Sequence, residues 1–244
     1  WILHIVMNGK LHLLPILKNE KTITTIKFKP MKKLLLILLC VPLIISCVKN
    51  QNSSILYDKE NLQDFDFKNG DIIFQTSKSQ QSKLIQEVTQ SKFSHVGILY
   101  IEEDYKISVF EAVSTVKLTP LSQWINNGVE NQYVIKRYKY DINLEDMNKM
   151  YEYCIQQKGM SYDWEFQWTD NEMYCSELVW KAYKSINIEL SIISTFANLP
   201  GMNSNKIQKE IEKRYRECND CGEFNKHEYI VSPEDLYQSE KLIN

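Results

Sequence analysis

Three features of this sequence predict an α+β fold built on an antiparallel sheet. Residues 94–101 and 106–113 are rich in β-formers and are separated by the charged Glu102-Glu103-Asp104, the pattern of a hairpin. The stretches following Asn143 and starting at Cys175 carry apolar residues at spacings of three and four, the pattern of amphipathic helices. No internal repeat or low-complexity linker divides the chain beyond residue 65, so sheet and helices are expected in one domain spanning 65–244.

Composition narrows the function classes. The 244 residues are 43% hydrophobic and 25% charged, ordinary for a globular protein. The formal charge of -2 is unevenly placed: residues 1–46 hold seven lysines and one glutamate, +6, which leaves -8 for the rest. An acidic domain has no basic stripe to displace counterions from phosphates, so no nucleic-acid partner is expected. The pattern calls for no cofactor and no metal, and it leaves the oligomeric state open.

The chain begins with Trp1, and residues 1–30 have no interpretable period; they read as an upstream or precursor extension. Met31 with Lys32 and Lys33, then an apolar run to Ile45, then Ser46, has the order of a secretory signal peptide over 31–46. The run is too short for a comfortable membrane span. Its ending, Ile44-Ile45-Ser46-Cys47, resembles a bacterial lipobox, and by that resemblance Cys47 carries a lipid and tethers the protein to a membrane at the cell envelope. The rival readings are an ordinary cleaved signal, with Cys47 incidental, or an uncleaved anchor. Residues 47–64, polar and rich in Asn, Gln and Ser, read as a tether.

Within the domain, Lys68-Asn69-Gly70-Asp71 is a turn signal feeding the β run Ile72-Ile73-Phe74. Leu84, Ile85 and Val88 predict a short helix within 77–92. If the hairpin is centred on Glu103, His95 lies directly opposite Glu111, close enough for a carboxylate to hold an imidazole, whereas a one-residue slip would part them. Thr119-Pro120 ahead of Leu121 and Trp124 suggests a capped short helix, and residues 132–138 a strand. Asn143 is a good N-cap for a helix with Leu144, Met147, Tyr151, Cys154 and Ile155 on its apolar face, closed by Gly159. The aromatic stretch 162–168 is either a strand or a loop lining a cleft. Residues 206–215 read as a charged helix, and 230–237 as a strand end leading into a capped turn.

The helix from Cys175 has Leu178, Val179, Ala182, Tyr183 and Ile186 on one face and Glu177, Lys181 and Lys184 on the other. Cys175 falls in its first turn, where unpaired N–H groups and the helix dipole favour a thiolate. Cys154 is most simply a core residue, and Cys218 with Cys221 a local disulfide or two free thiols; zinc binding with His227 or a redox role is weaker for a lone C-x-x-C. His227 sits in a polar loop. Cys175 is thus a candidate nucleophile with His95 as its candidate base, the alternative being a buried structural cysteine.

Five blocks in order, Gly70-Asp71-Ile72-Ile73-Phe74, Ser94-His95-Val96-Gly97-Ile98, Phe110-Glu111-Ala112-Val113, Tyr174-Cys175-Ser176-Glu177 and Ser232-Pro233-Glu234-Asp235-Leu236, resemble the YiiX-like group of circularly permuted, papain-like cysteine hydrolases within the NlpC superfamily. The resemblance implies a partly barrel-like antiparallel sheet packed on helices. It makes Cys175 the nucleophile, His95 the base and Glu111 the orienting carboxylate. Tyr174, before the nucleophile, lines the pocket, donates through its hydroxyl, or is an aromatic of the core. The substrate class it implies is an amide, with cell-wall peptides first. The rivals are acyl hydrolysis or transfer on a lipid or other acylated small molecule, as in permuted relatives of the lecithin-retinol acyltransferase type, and an idle envelope lipoprotein that binds peptide or lipid.

Overall fold

The computed structural model describes residues 5–7, 10–12, 66–218 and 221–244, and the chain divides into two units, Trp1–Ile55 and Leu56–Asn244. In the first, Ile5–Met7 pairs antiparallel with Lys10–His12, a small element that the sequence reading did not expect. The proposed signal peptide, the tether and Cys47 lie outside the described residues.

In the second unit the strands β1 (Ile72–Gln75), β2 (His95–Ile101), β3 (Ile107–Ala112), β4 (Val116–Pro120), β5 (Val134–Tyr138) and a later short strand at Leu242–Ile243 form one six-stranded sheet. Every pairing in it is antiparallel, in the order Leu242–Ile243, β5, β1, β2, β3, β4, with an open edge at each end rather than a closed barrel. The helices are α1 (Ser82–Thr89), α2 (Leu121–Asn126), α3 (Leu144–Gln156), α4 (Cys175–Lys184), α5 (Asn205–Glu217) and α6 (Pro233–Tyr237).

Alternation along the strands sorts the sheet into two faces. Ile72, Phe74, Val96, Ile98 and Phe110 face the main core with Met150, Tyr151, Leu178 and Tyr183 from α3 and α4. Ile73, Leu99 and Val109 face a smaller core closed by Leu121 and Trp124 of α2. The close approach of β2 and β3 depends on Gly97: a Cβ there would lie 2.4 Å from Val109 Cγ1 and 2.7 Å from the Phe110 carbonyl oxygen. Asp71, buried at the head of β1, accepts two hydrogen bonds from the Arg137 guanidinium, Nε at 2.6 Å and a terminal nitrogen at 2.8 Å, which clamps β1 to β5.

Several expectations are corrected. The hairpin is centred one residue later: Ile98 pairs with Phe110 and Ile101 with Ile107, so His95 is not directly opposite Glu111. On α3, Leu144 and Ile155 are exposed, while Met150, Tyr151 and Cys154 are buried; Leu144 and Ile155 flank the stripe that meets the sheet. Glu177 is fully buried rather than on a solvated face of α4, because its Oε2 accepts the Tyr174 N–H at 3.3 Å and its Oε1 lies 2.7 Å from Lys181 Nζ. No side-chain hydrogen bond caps α2; its first turn follows Pro120, and Thr119 belongs to β4, a strand the sequence reading missed. The aromatic stretch after Tyr162 is a loop, held by single bridges of Tyr162 to Met173 and of Ser161 to Thr115.

Candidate active site

Three elements bring the site together. Cys175 is the first residue of α4, which packs against β2; His95 opens β2, and Glu111 stands near the end of β3. The shift in hairpin register is two positions in pairing, an even number, so His95 and Glu111 keep a common face. His95 Nε2 lies 2.7 Å from Glu111 Oε2, both side chains buried. With Nε2 occupied, Nδ1 is the ring nitrogen left for Cys175, which lies near enough to stabilise the protonated ring. The ring is stacked at 5.7 Å on Trp124.

Glu111 is itself held. The Thr119 hydroxyl donates to Oε1 at 2.5 Å and Lys117 Nζ lies 3.9 Å from the same oxygen. Burial alone would raise the Glu111 carboxyl, but the His95 hydrogen bond and charge, Thr119 and Lys117 together bring it below its usual range. For His95 burial disfavours the imidazolium, yet hydrogen bonds and charge from Cys175 and Glu111 overcome it and raise the ring to about 10. The other free cysteine among the described residues, Cys154, is pushed up to about 12 by burial, which outweighs a backbone hydrogen bond that lowers it. Cys218 and Cys221 form a disulfide and His227 is exposed.

The start of α4 is fixed from behind. Ser176 donates its hydroxyl to the Val231 carbonyl at 2.7 Å, and the Val231 N–H donates to the Tyr174 hydroxyl at 3.2 Å. The next residue, Ser232, accepts from Asp235 N–H at 3.1 Å while Asp235 accepts from Ser232 N–H at 2.7 Å, a reciprocal cap for α6. Tyr174 therefore serves as a pocket wall and a brace, with its ring buried.

Two cavities lie beside these residues and share Ile85 and Trp164 as walls. On the Cys175 side is a slot of about 60 Å³ whose walls include Leu84, Val88, Phe166, Phe196 and Ile211, with Arg214 as its one charged residue. On the His95 and Glu111 side is a cleft of about 440 Å³ walled by serine, glutamine and asparagine together with Ile85, Val113, Tyr162 and Trp164. Thr119, Trp124 and the slot walls other than Tyr174 and the 162–168 loop escaped the sequence reading. Thr119 had a signal, since a hydroxyl two residues on from Lys117 shares its strand face, but it needed the strand to be recognised.

A buried thiol, an imidazole beside it and a carboxylate behind the ring, set on an antiparallel sheet and a helix start, define a papain-like cysteine hydrolase site. Residues 66–243 match the permuted papain-like amidase family YaeF/YiiX, C92, and the chain belongs to that family. It is 36% identical over 174 residues to the uncharacterized protein YiiX of Escherichia coli strain K12, covering 71% of this chain and 83% of that one. A crystal structure described as metalloprotein yiiX from Escherichia coli O157:H7 superposes with a TM-score of 0.67 at 34% identity, covering 73% of this chain and 96% of that one.

Proposed function

We propose that this protein is a cysteine-dependent amide hydrolase of the bacterial cell envelope. The observation that carries the reading is the His95 ring, held by Glu111 Oε2 at 2.7 Å and stabilised in its protonated form by both Glu111 and Cys175. His95 takes the proton from Cys175, the sulfur attacks an amide carbonyl, and the proton returns to the departing nitrogen. Water, deprotonated by the same ring, then releases the acyl group. Glu111 fixes the ring's orientation and stabilises its charge. The Cys175 N–H, at the first position of α4 where no preceding turn can accept it, is placed to donate to the oxyanion. The solved relative is described as a metalloprotein; among the described residues of this chain no group of three or more His, Cys, Asp or Glu is placed to hold a metal ion, and no step is routed through one.

Cell-wall peptides are the first substrate class. The slot beside Cys175 favours the second, an apolar acyl group on a lipid or other small molecule, hydrolysed or transferred, because its walls are largely aliphatic and aromatic. Lipidation of Cys47 would place the domain at the membrane surface.

Iodoacetamide labelling with mass spectrometry separates an enzyme from an idle binding protein. Cys175 is expected to alkylate well below pH 8 while Cys154 stays unmodified, and His95→Ala to abolish that preference. Equal labelling of the two thiols, or reactivity indifferent to His95→Ala, overturns the mechanism. Mass spectrometry of the mature N-terminus tests the anchor; an unmodified Cys47 in a soluble fragment would sink it.

A further inference from the structure

We propose that the cleft beside His95 is the leaving-group subsite, and that the Gln75 carboxamide on its floor binds a neutral head group carrying both hydrogen-bond donors and acceptors, such as a hydroxylated or amide-bearing amine. The proposal rests on the cysteine-hydrolase reading and assigns the two ends of its substrate.

The direction follows from proton transfer. When the thioester forms, the carbonyl carbon gains a bond to sulfur and loses its bond to nitrogen, and the nitrogen receives the proton held by His95. The departing amine must therefore lie against the His95 ring, and that ring lines the larger cleft. The acyl part stays on Cys175, which lines the apolar slot.

Gln75 gives the cleft its chemistry. It pairs directly with His95 across β1 and β2, so the two side chains share a face. It is 1% exposed, yet neither its Nε2 nor its Oε1 has a hydrogen-bond partner. A buried carboxamide with both ends unpaired is uncommon in a folded protein unless water or a ligand completes it. The space for it is made by Gly128, where a Cβ would stand 2.2 Å from Gln75 Oε1. Its other polar walls include Ser77, Ser94, Ser114 and Asn127, and Ile85, Val113 and Trp164 add apolar surface. Of the nearby charges, Glu111 is engaged by His95, and Lys78 donates from the rim to the Asn126 carbonyl at 2.8 Å. A neutral group suits this lining better than an ion, with its donors and acceptors toward Gln75 and the serines and its carbon skeleton against the apolar walls.

By microscopic reversibility the subsite that releases an amine also delivers one. A bound amine attacks the thioester carbonyl, yields its proton to His95, and the sulfur leaves as thiolate. The test uses 4-nitrophenyl octanoate to acylate Cys175 and follows the competition between water and added serinamide or n-butylamine. Transfer to serinamide should saturate and exceed transfer to n-butylamine at equal free-base concentration. Gln75→Leu should lower the serinamide transfer-to-hydrolysis ratio at least about tenfold per acyl-enzyme formed, the order expected when a buried polar contact is removed. Gly128→Ala, which occupies the carboxamide's space, should give the same loss and serves if Gln75→Leu does not fold. A linear dependence on serinamide, or a ratio unmoved by both variants, overturns the proposal. Absence of any nitrophenolate burst would instead defeat the hydrolase reading. The cleft is then judged by serinamide titration of tryptophan fluorescence, since Trp124 stacks on His95 and Trp164 lines the cleft: saturation weakened by the variants supports it, and no saturation rejects it.

Discussion

Replacing Glu111 by glutamine asks how much of the site's reactivity comes from the carboxylate behind the ring. The change keeps an oxygen near His95 but removes the charge whose Oε2 lies 2.7 Å from Nε2. His95 is raised from 6.5 to about 10 against the cost of burial, by hydrogen bonds and charge from Cys175 and Glu111. Losing about one pH unit of that rise with Glu111 would shift the proton from ring to sulfur by a factor of about ten. The sign is fixed: removing an anion lowers the affinity of the ring for its proton, so fewer molecules hold the sulfur ionised. Iodoacetamide rates at pH 6 to 7 should fall about tenfold in Glu111→Gln. The limb at which His95 loses its proton should also move down from about 10 by at least about one pH unit. Hydrolysis of an amide should fall by about a hundredfold, since the same ring must give and take a proton. Cys154, held at about 12 by burial, is the internal control in each spectrum. An unchanged profile, or faster alkylation in the variant, would refute an orienting and charge-stabilising Glu111.

Three further outcomes are expected. Thr119→Val removes the hydroxyl 2.5 Å from Glu111 Oε1 and should cost about 1 to 2 kcal/mol in urea unfolding. Its effect on turnover should be smaller than that of Glu111→Gln, and equal losses would contradict the indirect role. Tyr174→Phe leaves the buried Val231 N–H without its acceptor and should lower stability by about 1 to 3 kcal/mol while turnover falls less than about tenfold; a near-complete loss of turnover with intact stability would make the hydroxyl a catalytic donor instead. Asp163, buried with Oδ2 unpaired, is raised by burial from 3.8 to about 6, so its contribution to stability is full below 3.8 and lost as pH rises through 6. Relative to the parent, Asp163→Asn should gain about 2 kcal/mol between pH 4 and pH 8 in denaturant melts followed by tryptophan fluorescence, and a constant difference would show that the carboxyl does not titrate there.

β-rich runs and period-3.6 patterns made most of the fold legible, although β1, β2 and β3 bury both faces between the two cores and α4 is buried nearly all round. β4 was not legible: Val116–Pro120 is short, runs straight into α2, and ends in a Thr-Pro pair that has the look of a helix cap. The hairpin centre was misplaced by one residue, which shifts the pairing by two, and strand parity absorbed the error. Glu177 was read as solvated because a charge on a helix ordinarily is; its partners, the N–H of Tyr174 and the Lys181 ammonium, are local, but its burial comes from distant chain. The two cavities were beyond reach, since their walls join residues from α1, α5 and the 162–168 loop that only packing brings together. Gln75 carried a faint signal, as a polar residue closing an otherwise apolar strand.

Ile85 and Trp164 line both cavities, so the divide between slot and cleft is built in part from one aliphatic and one indole side chain. Beyond that partition the walls diverge: the slot takes residues from α5 and the Phe196–Leu199 turn, the cleft from the segments on either side of β2 and β3. Tail and head preferences are thus encoded in separate stretches of chain, and each can drift under selection without disturbing the other or the sulfur between them. Substitution at residue 85 or 164 is the exception, because it alters both preferences in a single step.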